Sequence, residues 1–131
     1  MSAFPRRGEI WQVQLPDENK RRPALIISTN SRNQFSNSVL VIPITSNLKP
    51  SQTHVLLPAG QGGLKHASMA RCENIGYLQK GFVHRGGFSG EVAAGLLREV
   101  ETSILLALEI TRPQYCFNLI SLNSTTIGPP A

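Results

Sequence analysis

The sequence predicts a mostly β, α+β chain in which a small, strongly curved antiparallel sheet or barrel is closed by one C-terminal helix. Three observations lead there. Five or six short segments of apolar or alternating character, separated by turn-forming residues, occupy the first two-thirds of the chain. Near Ser89 the hydrophobic period changes from two to 3.6. The 131 residues, without internal repeat, suffice for one modest core.

Residues 8–15, GEIWQVQL, alternate, with Trp11, Val13 and Leu15 on one face and Glu9, Gln12 and Gln14 toward solvent. PDENKRR is a polar connection of hairpin length. Pro23 opens the apolar strand PALIIST, a position that suits a residue with no N–H for the ladder. TNSRNQFSNS reads as a loop with room for one helical turn. In SVLVIPITS, 38–46, Pro43 implies a sheet edge or a bulge. THVLLP, 53–58, is a shorter strand and AGQGG a turn. Residues 64–78 hold one or two further strands, and KGFVHRGGF reads as a glycine-punctuated loop.

From Ser89 a helical wheel places Ala93, Leu96, Leu97, Val100, Ile104, Ala107 and Leu108 on one face. Ser89 is the expected N-cap, Glu91 complements the positive end of the dipole, and Pro113 ends the helix. Leu105 and Leu106 fall off the stripe, which points to a second buried contact such as another subunit. The expected organisation is one domain over 1–112 and a tail over 113–131, partly disordered at its end.

Composition narrows the function. No apolar run is long enough to span a bilayer, and the start MSAFPRRGEI lacks a signal-peptide core, so a cytoplasmic protein is expected. Cys72 and Cys116 are too few for a disulfide framework or a four-thiolate zinc site. Thirteen Lys and Arg against eight Asp and Glu leave a net charge of +5. Arg6, Arg7, Lys20, Arg21, Arg22 and Arg32 crowd the first quarter, a distribution compatible with phosphate contacts. His54, His66 and His84 are scattered without metal spacing, and no phosphate-binding glycine loop occurs. No metal site and no cofactor are expected.

Three constellations could carry chemistry. Arg22 precedes Pro23, which forces an extended backbone and presents the guanidinium from the mouth of a strand, with Lys20 and Arg21 adding attraction for anions. Thr45 and Ser46 place hydroxyls at a strand end, where such residues also serve as backbone partners. Arg71 and Glu73, two apart in a strand, would project from one face with Met69. Together they suit cleavage of an RNA phosphodiester by its own 2′-hydroxyl. That reaction needs a base, cations for the charge building on phosphorus, and a proton for the leaving 5′-oxygen. Arginine is a phosphate clamp and a poor base, so Glu73, or Glu18 in the loop, is the expected proton acceptor. His66 is the best placed of the histidines.

RGEIWQVQL, RPALIIS, VLVIPITS, HVLLP and GGLKHASMARCENI resemble, in order and spacing, the PemK/MazF toxins of toxin–antitoxin pairs, over about residues 6–110. The resemblance implies an SH3-like antiparallel β-barrel of CcdB/PemK type and a ribosome- and metal-independent endoribonuclease that cuts single-stranded mRNA as a homodimer. By position Arg22 matches the family's catalytic arginine and Thr45 its catalytic threonine, with Ser46 beside it. Arg71 and Glu73 look similar to the Arg-x-Asp acid–base pair of the Kid-like branch, with Glu in place of Asp. Lys20, Arg21, Ser46, His66 and Ser68 are the expected substrate contacts. The PDENKRR loop is shorter than in many members, and the tail after Arg112 has no counterpart.

The expectation is therefore a sequence-specific endoribonuclease toxin that yields 2′,3′-cyclic phosphate and 5′-hydroxyl ends and is neutralised by a small acidic antitoxin. A rival is a toxin of the same fold that poisons DNA gyrase by binding, as the CcdB branch does. A third reading is a barrel that binds RNA without cutting it.

Overall fold

The computed structural model describes residues 4–110; residues 1–3 and 111–131, with Cys116 and the 113–131 tail, lie outside the described residues. Seven strands and two α-helices follow in order: β1 (Glu9–Gln14), β2 (Arg21–Ile26), α1 (Asn30–Phe35), β3 (Ser38–Thr45), β4 (His54–Leu57), β5 (Ser68–Arg71), β6 (Gly76–Gln79), β7 (Val83–Glu91) and α2 (Ala94–Ala107). The sheet order is β4-β5-β3-β2-β1-β7, with β6 also joined to β3. Every pairing is antiparallel. The sheet is bent rather than closed, with β4 and β7 at its ends. No helix among the described residues is long and apolar enough to cross a membrane.

The bend buries both faces of the central strands. Ile10, Leu25, Ile27, Ile42, Ile44, Val55 and Leu57 form one core, against which Leu96, Leu97 and Ile104 of α2 pack, with Val100 fully buried. Trp11, Val13, Ala24, Ile26, Val39 and Val41 form a second, completed by Leu78 of β6 and Val83 of β7. This is why PALIIS reads as an unbroken apolar run: neighbouring residues of β2 enter different cores. Fully burying such an aliphatic side chain stabilises the fold by about 1.5–3 kcal/mol.

Several expectations change. Glu9 faces the protein, 8% exposed, and its carboxylate accepts the Trp11 indole N–H at 2.9 Å and the Arg6 amide at 2.7 Å. Pro23 is the third residue of β2, because the hairpin pairs Arg21 with Gln14 and Arg22 with Val13. Pro43 lies in a central strand. It sits where β3 exchanges partners, between Val41, opposite Gly76 of β6, and Ile44, opposite Ala70 of β5. A missing N–H is tolerated there because neither partner strand reaches it on that side.

KGFVHRGGF is no loop. Residues 83–91 form the longest strand, paired with β1 through two register shifts. The glycines are the reason. Gly86 has φ of 78°, and a Cβ on Gly87 would lie 3.1 Å from Gln12, so they let β7 bend closely around β1. Ser89 and Glu91 consequently belong to a strand. The helix starts at Ala94 with Ala93 as N-cap, whose N–H goes to Gln61 Oε1 at 3.0 Å. Leu108, expected on the buried stripe, is 58% exposed, as is Leu106 in large part.

Candidate active site

β2 and β3 stay paired only as far as Ala24 and Pro43. Carried two residues further, their register would set Arg22 opposite Thr45, but the strand ends diverge and a cleft of about 320 Å³ opens between them. Lys20, Arg21, Arg22 and Pro23 form one wall, and Ile44, Thr45 and Ser46 form another. Leu64, Lys65, His66 and Ser68, from the approach to β5, form the third.

That third wall is held by glycines. The turn Gln61–Gly63 lies directly on β1 and β7: a Cβ on Gly62 would come within 2.3 Å of Ile10, and one on Gly63 within 2.1 Å of the Ser89 carbonyl. Both have positive φ, so glycine is required on two counts. Ser68 Oγ then donates to the His66 carbonyl at 3.0 Å, fixing the backbone where it enters the cleft.

The lining carries four cations and His66 but no carboxylate. One acid stands beside it. Glu18, in the β1–β2 hairpin, accepts from Arg22 Nε at 2.5 Å, and the Gln14 side-chain amide donates to the Glu18 carbonyl. Thr45 Oγ1 accepts the Asn47 N–H at 3.1 Å. With an acceptor lone pair occupied in this way, the threonine's own proton is free to be donated elsewhere.

All the expected substrate contacts (Lys20, Arg21, Ser46, His66 and Ser68) line this cleft, as do Arg22 and Thr45. Arg71 and Glu73 do not. β5 runs from Ser68 at the cleft to Arg71, about 10 Å away at ~3.3 Å per residue. There the chain leaves the strand for a 3-10 turn, Cys72–Asn74, so Arg71 and Glu73 are not successive residues of one strand face. They do pair loosely, at 3.8 Å, while Arg71 Nε is a buried donor without a hydrogen-bond partner among the described residues. Glu73 instead accepts from Thr53 Oγ1 at 3.1 Å and pairs with His54 Nε2 at 2.9 Å. Burial works to raise its carboxyl, but the hydrogen bonds from His54, its own backbone and Thr53 hold it below the usual value. Cys72, buried behind it, is pushed up to about 12 by burial and by the Glu73 charge.

The basic first quarter is likewise divided. Arg7 binds Ile27 O and the Glu101 carboxylate, tying the N-terminal segment to α2, and Arg32 donates to Ser38 Oγ. Only Lys20, Arg21 and Arg22 of that group reach the cleft. Sequence reasoning passed over Lys65, although a cation beside a glycine run in GGLKH was visible. It also passed over the partners of His54, which lie 5 and 19 residues away and leave no spacing to read.

Residues 6–108 match the family model of the PemK-like, MazF-like toxin of type II toxin–antitoxin systems. This chain belongs to the PemK/MazF toxin family. Endoribonuclease MazF9 of Mycobacterium tuberculosis is 32% identical over 116 residues, covering 80% of this chain and 97% of the relative. The solved M. tuberculosis toxin MazF-mt6 aligns with a TM-score of 0.69 at 26% identity, over 77% of this chain and 96% of its own. A MazE–MazF crystal structure from Deinococcus radiodurans shares the fold, with a TM-score of 0.70 at 23% identity over 82% and 97% of the two chains. The PemK/MazF match ends at residue 108, just past α2.

Proposed function

We propose that this PemK/MazF toxin is an endoribonuclease that cleaves single-stranded mRNA, without ribosome or metal, by attack of a 2′-hydroxyl on the adjacent phosphorus. The observation that carries the reading is the convergence of Arg22, Thr45 and His66 on one cation-lined cleft with Glu18 beside it. The Glu18 carboxylate accepts the 2′-hydroxyl proton as the O2′–P bond forms. Arg22 and the Thr45 hydroxyl stabilise the charge gathering on the non-bridging oxygens. The P–O5′ bond then breaks and His66 protonates the departing oxygen, so one proton is taken up and one supplied. The products are a 2′,3′-cyclic phosphate, or its opened 3′-phosphate, and a 5′-hydroxyl. No group of three or more His, Cys, Asp or Glu side chains among the described residues is placed to hold a metal ion.

The partners follow from charge and family. A small acidic antitoxin would be drawn to the same cations as RNA, so the two compete for the cleft. The protein acts as a homodimer, and the exposed Leu106 of α2 and Leu108 just past its end supply apolar surface for that contact. The test is end chemistry: purified protein incubated with a long RNA in EDTA leaves fragments with 5′-hydroxyl ends at a recurrent short sequence. Intact RNA together with trapped gyrase–DNA complexes would instead establish the gyrase-poisoning reading.

A further inference from the structure

A continuous set of hydrogen bonds leads away from Thr45. Its Oγ1 accepts the Asn47 N–H at 3.1 Å, and Asn47 Oδ1 accepts the Lys49 N–H at 3.1 Å. The Lys49 carbonyl meets His54 Nδ1 at 3.0 Å, and His54 Nε2 meets Glu73 Oε2 at 2.9 Å. The far end is anchored in turn: Cys72 N–H donates to the Thr53 carbonyl at 2.9 Å, and Thr53 Oγ1 donates to Glu73. Residues 46–53 thus form a strap pinned at one end by Thr45 and at the other by His54 and Glu73.

Both partners of the His54 ring are acceptors, a backbone carbonyl and a carboxylate. A neutral imidazole has one N–H and can satisfy only one of them, whereas the imidazolium satisfies both. We infer that His54, bonded through both ring nitrogens and together with Glu73, is a positioning residue that holds the 46–53 strap and through it orients the Thr45 hydroxyl toward the cleft. The inference rests on the role proposed above for Thr45. It gives Glu73 a different role from the proton acceptor expected from the sequence: its carboxylate, held ionised by hydrogen bonds, fixes the His54 ring rather than the substrate. The other charged groups around His54 are Arg71, opposite it in the β4–β5 register, and Arg98 and Glu99 of α2, which line the same shallow groove. Of these, Arg71 stands nearest to Glu73, at 3.8 Å.

Two measurements decide the matter. In hydrogen exchange of the wild-type protein, the Asn47 and Lys49 amides are protected by the strap. In His54→Gln and Glu73→Gln they exchange with solvent at least tenfold faster, while amides of β1 and β2 do not change. In single-turnover cleavage, His54→Gln and Glu73→Gln lower the rate constant by about tenfold or more and leave RNA affinity within about twofold, because the cleft cations are untouched. Asn47 and Lys49 exchange indifferent to both substitutions overturns the inference. So does wild-type cleavage by folded variants, or a loss confined to RNA affinity. The exchange arm needs no activity, so it stands if the protein proves not to cut RNA, and a protein that cuts RNA with the strap unaffected leaves the proposed reaction intact.

Discussion

Glu18 Oε2 sits 2.5 Å from Arg22 Nε across the hairpin that leads into the cleft. The pair is partly exposed, and such pairs contribute only about 0–1 kcal/mol to stability. Its consequence is orientation: one edge of the guanidinium is occupied, so the remaining N–H groups are those that can meet a phosphate. The cation and the proposed proton acceptor are therefore delivered together, from one short loop.

Removing that cation should reduce catalysis far more than binding. Arg22→Ala is expected to lower single-turnover cleavage by about 10²–10³-fold, the scale for loss of one preorganised oxyanion donor. Arg22→Lys keeps the charge but loses the fork and recovers only part of the rate. Thr45→Ser retains most activity, whereas Thr45→Val, isosteric but without the hydroxyl, does not. Rates on a short chimeric substrate measure all four, and wild-type cleavage by Arg22→Ala would remove Arg22 from the mechanism.

Salt dependence reports how many cations touch phosphate. On a single strand each neutralised phosphate contributes about 0.7 to the slope of log K against log salt. Lys20→Ala, Arg21→Ala and Lys65→Ala should each reduce that slope by about this amount, because all three line the cleft. Arg32→Ala, which removes a donor to Ser38 instead, should leave it unchanged. Fluorescence anisotropy with a non-cleavable 2′-deoxy analogue gives the slopes.

Stability should have two pH limits with assignable origins. The Glu73 carboxyl titrates below its ordinary 4.5 in the native protein, so the unfolded chain binds its proton first as pH falls. Its contribution is full above 4.5 and is lost as pH drops through the native value. Cys72 moves the other way, from 9.0 to about 12. The unfolded thiol ionises first, so stability is full below 9.0 and declines as pH climbs toward 12. Urea midpoints across pH should show Glu73→Gln flattening the acid limb and Cys72→Ala the alkaline one. If each limb survives its substitution, other groups set the limits.

Leu106→Glu combined with Leu108→Glu should convert the proposed homodimer to a monomer at micromolar concentration, because both side chains are exposed at the C-terminal end of α2. Light scattering coupled to size exclusion reads the mass. Retention of the dimer would move the interface to another face.

Much of this architecture could be read from residue order because local chemistry and tertiary context agreed. Trp11, Val13 and Leu15 share a face as their alternation indicates, and the helical stripe of Leu96, Leu97, Val100 and Ile104 lies on the core. Pro43 marked an interruption in pairing, though its location in a central strand depended on β3 having two partners on one side. KGFVHRGGF reads as a loop because Gly86 and Gly87 signal one by propensity, and Ser89 and Glu91 read as a helix start, whereas residues 83–91 form one strand. At Gly87 and Gly90 the actual demand is space, where β7 passes against β1 and against the turn Gln61–Gly63, and at Gly86 it is a φ of 78°.

The cleft divides along the same line. By itself the sequence determined that an arginine ahead of a proline would be presented from extended backbone, and that hydroxyls would end the strand after Pro43, since both follow from backbone sterics within a few residues. Only the tertiary structure decided which distant groups join them. It brought Lys65 and His66 to the cleft of Arg22 and Thr45, and carried Arg71 and Glu73 away to His54. The physical reason is that β5 is a four-residue rod whose two ends serve different neighbours, and nothing in the spacing of residues along it says which end faces the cleft.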